Sequence, residues 1–338
     1  MKRYRLHGSV ASLLLVIVSG ALFSSCNNYD FEQEFYKNEI GLLSMGEMMV
    51  NDRQVVNLND EEHIVYIIGN LSGSQRVNKD MHFTVMADDS LFIRYNKTNY
   101  DVDETRFAHL LSPECYEMPE MSGVIKAGEG QGLIPIKLKN LDTLSPDSTY
   151  LLNFKIDESA SDAVNRRKQS VLIKIFYEND FASTKVKSEY TYRNTEVAIL
   201  AEGSSAARKL SSSVQLFPMG VSSVRMLAGD ETYKDYKEAL EDINAKSIVL
   251  EIGDMDPKDD SSRKVSIKPY KTIEVVQLPA LPKYPNTYRL VEDKLPGGRS
   301  EYYKEFRIHY KYRTDPNAAW KEVKANFRQR VEKYADKL

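Results

Sequence analysis

The chain has 338 residues and a formal net charge of −3 at pH 7, with 42% hydrophobic and 28% charged residues, a balance that excludes wholesale disorder. Its length is enough for about two domains. The two cysteines exclude a disulfide-rich scaffold, and 21 tyrosines against a single tryptophan are an unusual aromatic balance.

The first 25 residues predict a lipoprotein signal peptide. Residues 1–9 are basic and carry no acid, and an apolar run follows at 10–23. This run is too short for a permanent transmembrane helix but is typical of a secretory signal. Residues 22–26 (LFSSC) place small side chains directly before a cysteine and resemble a bacterial lipobox. We therefore expect lipidation of Cys26, which would anchor the chain in a membrane; a plain signal peptide with a free Cys26 is the alternative.

The mature chain, residues 26–338, loses three basic residues and carries a net charge of about −6. This balance argues against a nucleic-acid partner and against attraction to anionic lipid, so the lipid anchor would be the contact with the membrane. Residues 26–36 form an acidic tether that resembles the export signal of surface lipoproteins in Bacteroides-type bacteria. Cys115 is then the remaining thiol, and we predict that it is buried and structural.

Residues 37–179 predict a mainly β domain. Short β-branched and alternating runs, separated by turn residues, favour an antiparallel, immunoglobulin-like β-sandwich. A short helical segment is expected at 90–96, and the proline at 135 suggests an edge strand. The predicted strands are 64–68, 82–86, 132–138, 150–156 and 171–176.

Residues 183–338 predict a second β-rich domain, a barrel or a second sandwich, of which the barrel-like form is preferred. A helix is expected at 231–244. A closing helix is expected at 317–335, where Trp320, Val323, Phe327, Val331 and Tyr334 recur at spacings of three and four. The predicted strands are 186–192, 214–217, 223–227, 247–252, 265–267, 272–278, 287–291 and 305–313.

Several segments carry a family resemblance. In the first half they are FEQEFYKN (31–38), YNKTNY (95–100) and LSPDSTY (144–150); in the second half they are VRMLAG (224–229), IKPY (267–270), NTY (286–288) and YKYR (310–313). Together they resemble two-domain surface lipoproteins of Bacteroides-type polysaccharide-utilisation loci. In these proteins an amino-terminal β-sandwich, similar to one in front of surface endo-β-N-acetylglucosaminidases, precedes a β-barrel-like domain of unknown function. The resemblance implies an outer-membrane location facing the cell exterior, with a transporter and a glycosidase as possible partners.

The sequence gives little support for catalysis, metal or cofactor binding. The acids at 254, 256, 259 and 260 begin like a calcium loop, but Pro257 and the lack of a glycine at the sixth position break the pattern, so a solvated hairpin tip is expected. The histidines at 63, 82, 109 and 309 lack the spacing of a zinc pair. The glycine-rich segment 128–132 lies between strands and predicts a hairpin rather than a phosphate loop. We therefore expect no enzyme activity, cofactor or metal.

Tyrosines near proline and glycine loops are the candidates for glycan binding, because a tyrosine offers a ring for stacking on a sugar and a hydroxyl for hydrogen bonding. The alternative is that each ring packs in or around the core, and Trp320 is expected to be a core residue. The candidates are Tyr270, Tyr284, Tyr288, Tyr302 and Tyr303.

Three Asp-Ser/Thr tripeptides match the O-glycosylation pattern that the resemblance implies, with Ser90, Thr143 and Ser148 as the acceptors. The sequence as a whole favours a surface lipoprotein that binds an oligosaccharide or polysaccharide. A structural or adhesive lipoprotein that contacts other proteins is the alternative, and an unrecognised glycan hydrolase is a remote one.

Overall fold

The computed structural model describes residues 37–73, 77–201, 207–233, 239–256 and 259–331. The predicted signal peptide, the lipidation site Cys26 and the acidic tether lie outside the described residues. Among the residues described, no helix is both long and apolar enough to cross a membrane.

The first half of the chain forms two main β-sheets around one core. One sheet has the order β1-β4-β9-β7, the other has the order β2-β11-β10-β5-β8 with β6 beside β10, and β3 pairs with β12. The strands are β1 (Ile40–Leu42), β2 (Val50–Asn51), β3 (Val56–Asn57), β4 (His63–Leu71), β5 (Met81–Ala87), β6 (His109–Leu110), β7 (Tyr116–Glu117), β8 (Ser122–Ile125), β9 (Gln131–Leu138), β10 (Tyr150–Ile156), β11 (Ser170–Lys174) and β12 (Tyr177–Glu178). Helix α1 (Ser90–Tyr100) confirms the predicted helical segment and extends it.

The alternation of buried and exposed side chains in β9 shows how the first half is assembled. Its buried side chains alternate strictly with exposed ones, as expected for a strand with one face on the core. β9 pairs along its length with β4, but β7 covers only its last two residues, so Pro135 lies where β9 has one neighbour. Cys115 is buried in the same core and free, as predicted.

The second half forms a closed, eight-stranded antiparallel barrel in the order β23-β13-β16-β17-β18-β19-β21-β22, closed by pairing of β22 with β23. β14 and β20 lie outside this ring, on β23 and β22, and β15 pairs with β14. The strands are β13 (Ser188–Tyr192), β14 (Thr195–Leu200), β15 (Arg208–Leu210), β16 (Ser213–Gly220), β17 (Ser223–Leu227), β18 (Ser247–Asp256), β19 (Asp259–Pro269), β20 (Glu274–Gln277), β21 (Thr287–Lys294), β22 (Ser300–Arg313) and β23 (Trp320–Val331). The mainly β fold class and the barrel are therefore confirmed.

The predicted closing helix at 317–335 is wrong, because residues 320–331 are strand β23. Val323, Ala325 and Phe327 are fully buried at every second position and face the barrel interior. Residues four apart share a face in a helix and also in a strand, so the same apolar spacing fits both. Pairing with β22 along the strand selects the extended form.

The helix predicted at 231–244 begins later in the structure. Helix α2 spans Ala239–Lys246 and residues 231–233 are not helical, while 234–238 are not described. α2 lies in the connection from β17 to β18, at one end of the barrel. In the acidic segment 254–260, the backbone of Asp256 at the end of β18 pairs with that of Asp259 at the start of β19, and the tip predicted between them, residues 257 and 258, lies outside the described residues.

Candidate functional site

The two halves meet at a buried ion pair. Arg225 of β17 is 2% exposed, and its guanidinium donates through both terminal nitrogens to the carboxylate of Asp147, with an Nη2–Oδ1 distance of 2.7 Å. Asp147 belongs to the loop before β10 in the first half. The ion pair therefore links the segments LSPDSTY and VRMLAG that carried the family resemblance.

Aromatic rings complete the environment of Arg225. Its guanidinium carbon lies 4.7 Å from the ring centroid of Phe217 and 5.0 Å from that of Tyr270. Burial acts to lower the pKa of Arg225, but the hydrogen bonds and charge of Asp147 outweigh it and raise the pKa. The charge on this buried side chain is thus maintained by a residue from the other half of the chain.

A cleft of about 750 Å³ lies beside this ion pair and is lined by both halves; we call it the central cleft. The first half contributes α1, the segment after it, and the loop before β10. The second half contributes β16 and α2. The lining side chains include Tyr100, Arg106, Phe107, His109, Ser148, Thr149, Gln215, Phe217, Tyr233, Leu240 and Ile243.

Aromatic rings and polar groups both line the central cleft. The rings of Tyr100 and Phe107 lie 6.4 Å apart, and the Arg106 guanidinium lies 5.6 Å from the Tyr100 ring. Tyr233, from the second half, is 45% exposed. His109 is also exposed, with its ring 5.9 Å from that of Tyr150. The cleft thus offers flat apolar faces next to hydrogen-bonding groups.

A second cavity of about 480 Å³ adjoins the first at the end of the barrel that α2 covers. We call it the mouth cavity, and it shares Asp147, Gln215, Phe217, Tyr233 and Ile243 with the central cleft. Mouths of β-barrels are common positions for ligand sites. The two cavities together form the main concave surface that joins the halves.

Two carboxylates of the mouth cavity lie close together. Asp230 and Glu231 both accept from the hydroxyl of Tyr312, at 3.1 and 3.0 Å, and from Lys321 Nζ, at 3.3 and 2.6 Å. Arg208 also pairs with Asp230. Paired carboxylates are the groups that glycoside hydrolysis requires.

The charges around this pair do not suit a proton donor. Burial acts to raise the pKa of Asp230, but Lys321 and its hydrogen bond outweigh burial, so the pKa lies below the ordinary value of 3.8. A glycosidase needs one carboxylic acid whose pKa is raised. Asp230 is therefore ionised and held by cations, which favours a structural role.

The predicted tyrosines lie elsewhere. Tyr284 is 9% exposed and donates to the carbonyl oxygen of Asn194 at 2.7 Å, and Tyr288 is 4% exposed with its ring 4.9 Å from that of Phe181. Both side chains are buried, and neither is among the lining residues of the two cavities. Tyr270 is half-buried beside Arg225 and is not among the lining residues of either cavity.

Tyr302 and Tyr303 lie half-buried on β22, away from both cavities. The Arg328 guanidinium covers the ring of Tyr303 at 3.8 Å, and the Tyr303 hydroxyl donates to Glu301. Trp320 is half-buried rather than in the core, with Lys311 Nζ 4.8 Å from its ring centroid. The structure therefore brings none of the five predicted tyrosines into the central cleft.

The three candidate acceptors for O-glycosylation differ in exposure. Ser90 and Thr143 are exposed, and their hydroxyls donate to Asp88 and to the carbonyl oxygen of Asn140. Ser148 is half-buried in the wall of the central cleft, directly after Asp147. No group of His, Cys, Asp and Glu side chains in the described residues could hold a metal ion.

Sequence reasoning missed the residues of the central cleft, although a signal was present. Tyr100 ends the segment YNKTNY, and Asp147, Ser148 and Thr149 lie within LSPDSTY. These segments carry the resemblance, and only Ser148 among their residues is a sequence-based candidate, as an acceptor for O-glycosylation and not for glycan binding. Their meeting in one cleft depends on contacts between distant parts of the chain.

Two family models match the chain. One describes an N-terminal domain and matches residues 31–163, and the other describes a C-terminal domain and matches residues 169–328. No curated protein matches the chain.

Several solved structures share the fold. A protein of unknown function from Bacteroides ovatus is 17% identical with a TM-score of 0.60, over 89% of this chain and 96% of its own. Another protein of unknown function from Bacteroides ovatus is 15% identical with a TM-score of 0.60, over 86% and 94% of the two chains. An auxiliary nutrient binding protein from Bacteroides thetaiotaomicron is 15% identical with a TM-score of 0.58, over 83% and 90%. At these identities the likeness establishes the fold alone.

Proposed function

We propose that this chain, which belongs to the family of two-domain proteins described by these N-terminal and C-terminal models, is an accessory protein that binds glycan in its central cleft. The observation that carries the proposal is the combination of aromatic rings and polar groups in a concave surface built by both halves. A shared site also gives a reason for the ion pair that joins the halves.

The chemistry of the central cleft fits a sugar ring. The C–H face of a pyranose packs on a flat aromatic ring, and its hydroxyls need donors and acceptors at the edge. Tyr100 and Phe107 supply rings from the first half, and Tyr233 supplies one from the second half. Gln215 and Thr149 add an amide and a hydroxyl to the same lining. The volume of about 750 Å³ lies within the range of about 300–1,000 Å³ that is usual for small-ligand sites.

The cellular setting is part of the proposal. Acylation of Cys26 would hold the protein in the outer membrane, and the acidic tether supports a position facing the cell exterior. There it would present glycan to a transporter and a glycosidase. The structural neighbour described as an auxiliary nutrient binding protein supports such a role. The cation-held state of Asp230 supports a binding protein rather than a hydrolase.

Glycan retention in affinity gels tests this proposal. The full chain should be retarded by at least one host or plant polysaccharide. Tyr100→Ala and Tyr233→Ala should each weaken retention about tenfold or more, because loss of one stacking contact costs about 1–2 kcal/mol. Tyr302→Ala is the matched control, since Tyr302 lies outside the central cleft, and it should leave retention unchanged.

The opposite results would exclude the central cleft or the function. If Tyr302→Ala lost glycan retention while Tyr100→Ala kept it, the glycan would bind at β22 rather than in the central cleft. Absence of retention on every glycan, together with co-purification of a stable outer-membrane partner, would instead favour a structural or adhesive lipoprotein. Release of reducing sugar from a retained glycan would show hydrolysis.

A further inference from the structure

A cleft of about 510 Å³ lies on the outer wall of the barrel, apart from the central cleft and the mouth cavity. It is bounded by β19, by the start of β21, and by the loop 278–286 that follows β20. We call it the wall cleft. Its lining residues are Ser262, Lys264, Val265, Ser266, Gln277, Ala280, Pro285, Asn286, Thr287 and Arg289.

Two side-chain amides build the floor of the wall cleft. The Gln277 amide accepts from the backbone N–H of Ile267 at 3.0 Å and donates to the carbonyl oxygen of Val265 at 3.1 Å. These two hydrogen bonds replace backbone pairing between β19 and β20 and hold the two strands side by side. The wall cleft is therefore a consequence of the fold rather than a gap between flexible loops.

Asn286 fixes the other side of the floor. It is 8% exposed and has a φ of +59°, in the left-handed region. Its amide donates to the carbonyl oxygen of Leu278 at 2.9 Å and accepts from the backbone N–H of His309 at 2.7 Å. A buried, doubly bonded amide in this conformation makes the wall cleft a preformed shape.

The wall cleft is cationic in an acidic protein. The charged residues among its described lining are Lys264 and Arg289, and none of them is acidic. The hydroxyls of Ser262, Ser266 and Thr287 lie with them. Within the part of the chain that the structure describes, these hydroxyls and Lys264 Nζ form no side-chain hydrogen bond or ion pair. Four donor groups thus converge on one cavity.

Arg289 keeps a net positive charge at the edge of the wall cleft. Its Nε lies 3.4 Å from Glu305 Oε1, and the same oxygen lies 2.6 Å from Nε of Arg307. Glu305 is 3% exposed, so two guanidiniums share one buried carboxylate. One carboxylate balances one of the two cations, so these three groups together carry one positive charge beside the wall cleft, which favours binding of an external anion.

We propose that the wall cleft binds the anionic group, a carboxylate or a sulfate ester, of an acidic sugar. Hydroxyls and cations in one cavity suit an anionic oxygen group flanked by sugar hydroxyls. That the anion belongs to a sugar rests on the proposed function; the anion site itself rests on the wall cleft alone. It is a second site, separate from the aromatic central cleft.

Calorimetry on the full chain at low ionic strength, with three probes, tests this inference. The probes are an oligogalacturonate for the carboxylate, a sulfated chondroitin oligosaccharide for the ester, and inorganic sulfate for the free ion. At least one sugar probe should bind, and its affinity should fall as salt is added. Lys264→Gln should weaken binding about tenfold, the effect of one charge-assisted hydrogen bond. Thr287→Val, which removes a hydroxyl and keeps the shape, should weaken it less.

Lys268→Gln is the matched control. Lys268 lies on the same strand, outside the wall cleft, and pairs with Glu251 at 2.6 Å. Equal weakening by Lys264→Gln and Lys268→Gln would indicate general surface charge and overturn the proposal. Binding of inorganic sulfate without either sugar, or of no probe at all, would also overturn it.

The two proposed sites can fail separately. Tyr100→Ala should weaken retention on a neutral glycan and leave binding of the acidic probe intact. Lys264→Gln should weaken binding of the acidic probe and leave retention on the neutral glycan intact. Loss of both ligands in Tyr100→Ala would mean that the acidic sugar also enters the central cleft, and the wall cleft would then be excluded.

Discussion

Individual charged residues at the mouth of the barrel form one cluster of shared hydrogen bonds and ion pairs. Lys321 is the shared partner of Asp230 and Glu231, and Tyr312 donates to both acids. Burial acts to lower the pKa of Lys321, but the hydrogen bond and charge of Glu231, with those of Asp230, raise it. Ionised Asp230 therefore contributes to the stability of the fold through its pairing with Lys321.

Acid should weaken this cluster. A carboxyl whose pKa is lower in the folded state contributes stability that is present above its unfolded pKa and is lost as the pH falls through the folded value. The pKa of Asp230 is lowered from 3.8, so its contribution should disappear as the pH falls below about 4. Asp230→Asn should flatten the acid limb of the free energy of unfolding, measured by urea titration between about pH 2 and 6.

A double variant tests whether Lys321 causes the acid sensitivity of Asp230. In a Lys321→Met background, Asp230→Asn should change the acid limb less, because Lys321 lowers the pKa of Asp230 more than Arg208, the cation that remains. An equal change in both backgrounds would show that Lys321 is not the cause. Solvent screens the partly exposed pair, so the effect should be small.

Single elements were predicted with uneven success, and β23 shows why. The periodicity of Val323 and Phe327 is common to a helix and a strand, and the helix-forming residues at 321, 322, 324 and 325 favour a helix locally. Pairing with β22 gives the backbone a ladder partner that no local pattern can reveal. α1, by contrast, was identified correctly because its segment lies between clear strand and turn patterns.

Phe327→Ala should show that β23 belongs to the barrel core. Phe327 is fully buried, and its ring stacks on that of Phe306 at 5.2 Å. The change should lower the free energy of unfolding by about 3–5 kcal/mol, because it leaves a cavity in a packed core. Lys324→Ala on the outward face of the same strand is the control, and chemical denaturation is the measurement. Similar losses of unfolding free energy in Phe327→Ala and Lys324→Ala would contradict the position of β23 in the barrel core.

At the scale of the whole molecule, one ion pair joins the halves around the central cleft. The guanidinium of Arg225 is closed in by Phe217, Tyr270 and the Asp147 carboxylate. A buried pair of this kind contributes little net stability, but loss of one partner leaves an unpaired charge. The role of the Asp147–Arg225 pair is therefore geometric, because it fixes the walls of the central cleft relative to each other.

Asp147→Ala should therefore destabilise the protein by about 3–5 kcal/mol in urea titration. Replacement of both partners by apolar residues, Asp147→Leu with Arg225→Met, should recover much of this loss, since no buried charge remains. If the double variant were as unstable as Asp147→Ala, another contact would have to join the halves. Glycan retention should fall in both, because the walls lose their fixed register.

The sequence by itself determined the fold class, the two β-rich regions and the buried thiol Cys115, since alternation, turn residues and composition are local properties. The tertiary structure alone decided the closure of the barrel, the strand form of residues 320–331 and the membership of the central cleft. The residues next to them in the sequence do not determine that Tyr288 is buried and Tyr233 is exposed. Burial and ion pairing depend on contacts between residues far apart in the chain, as Asp147 and Arg225 demonstrate.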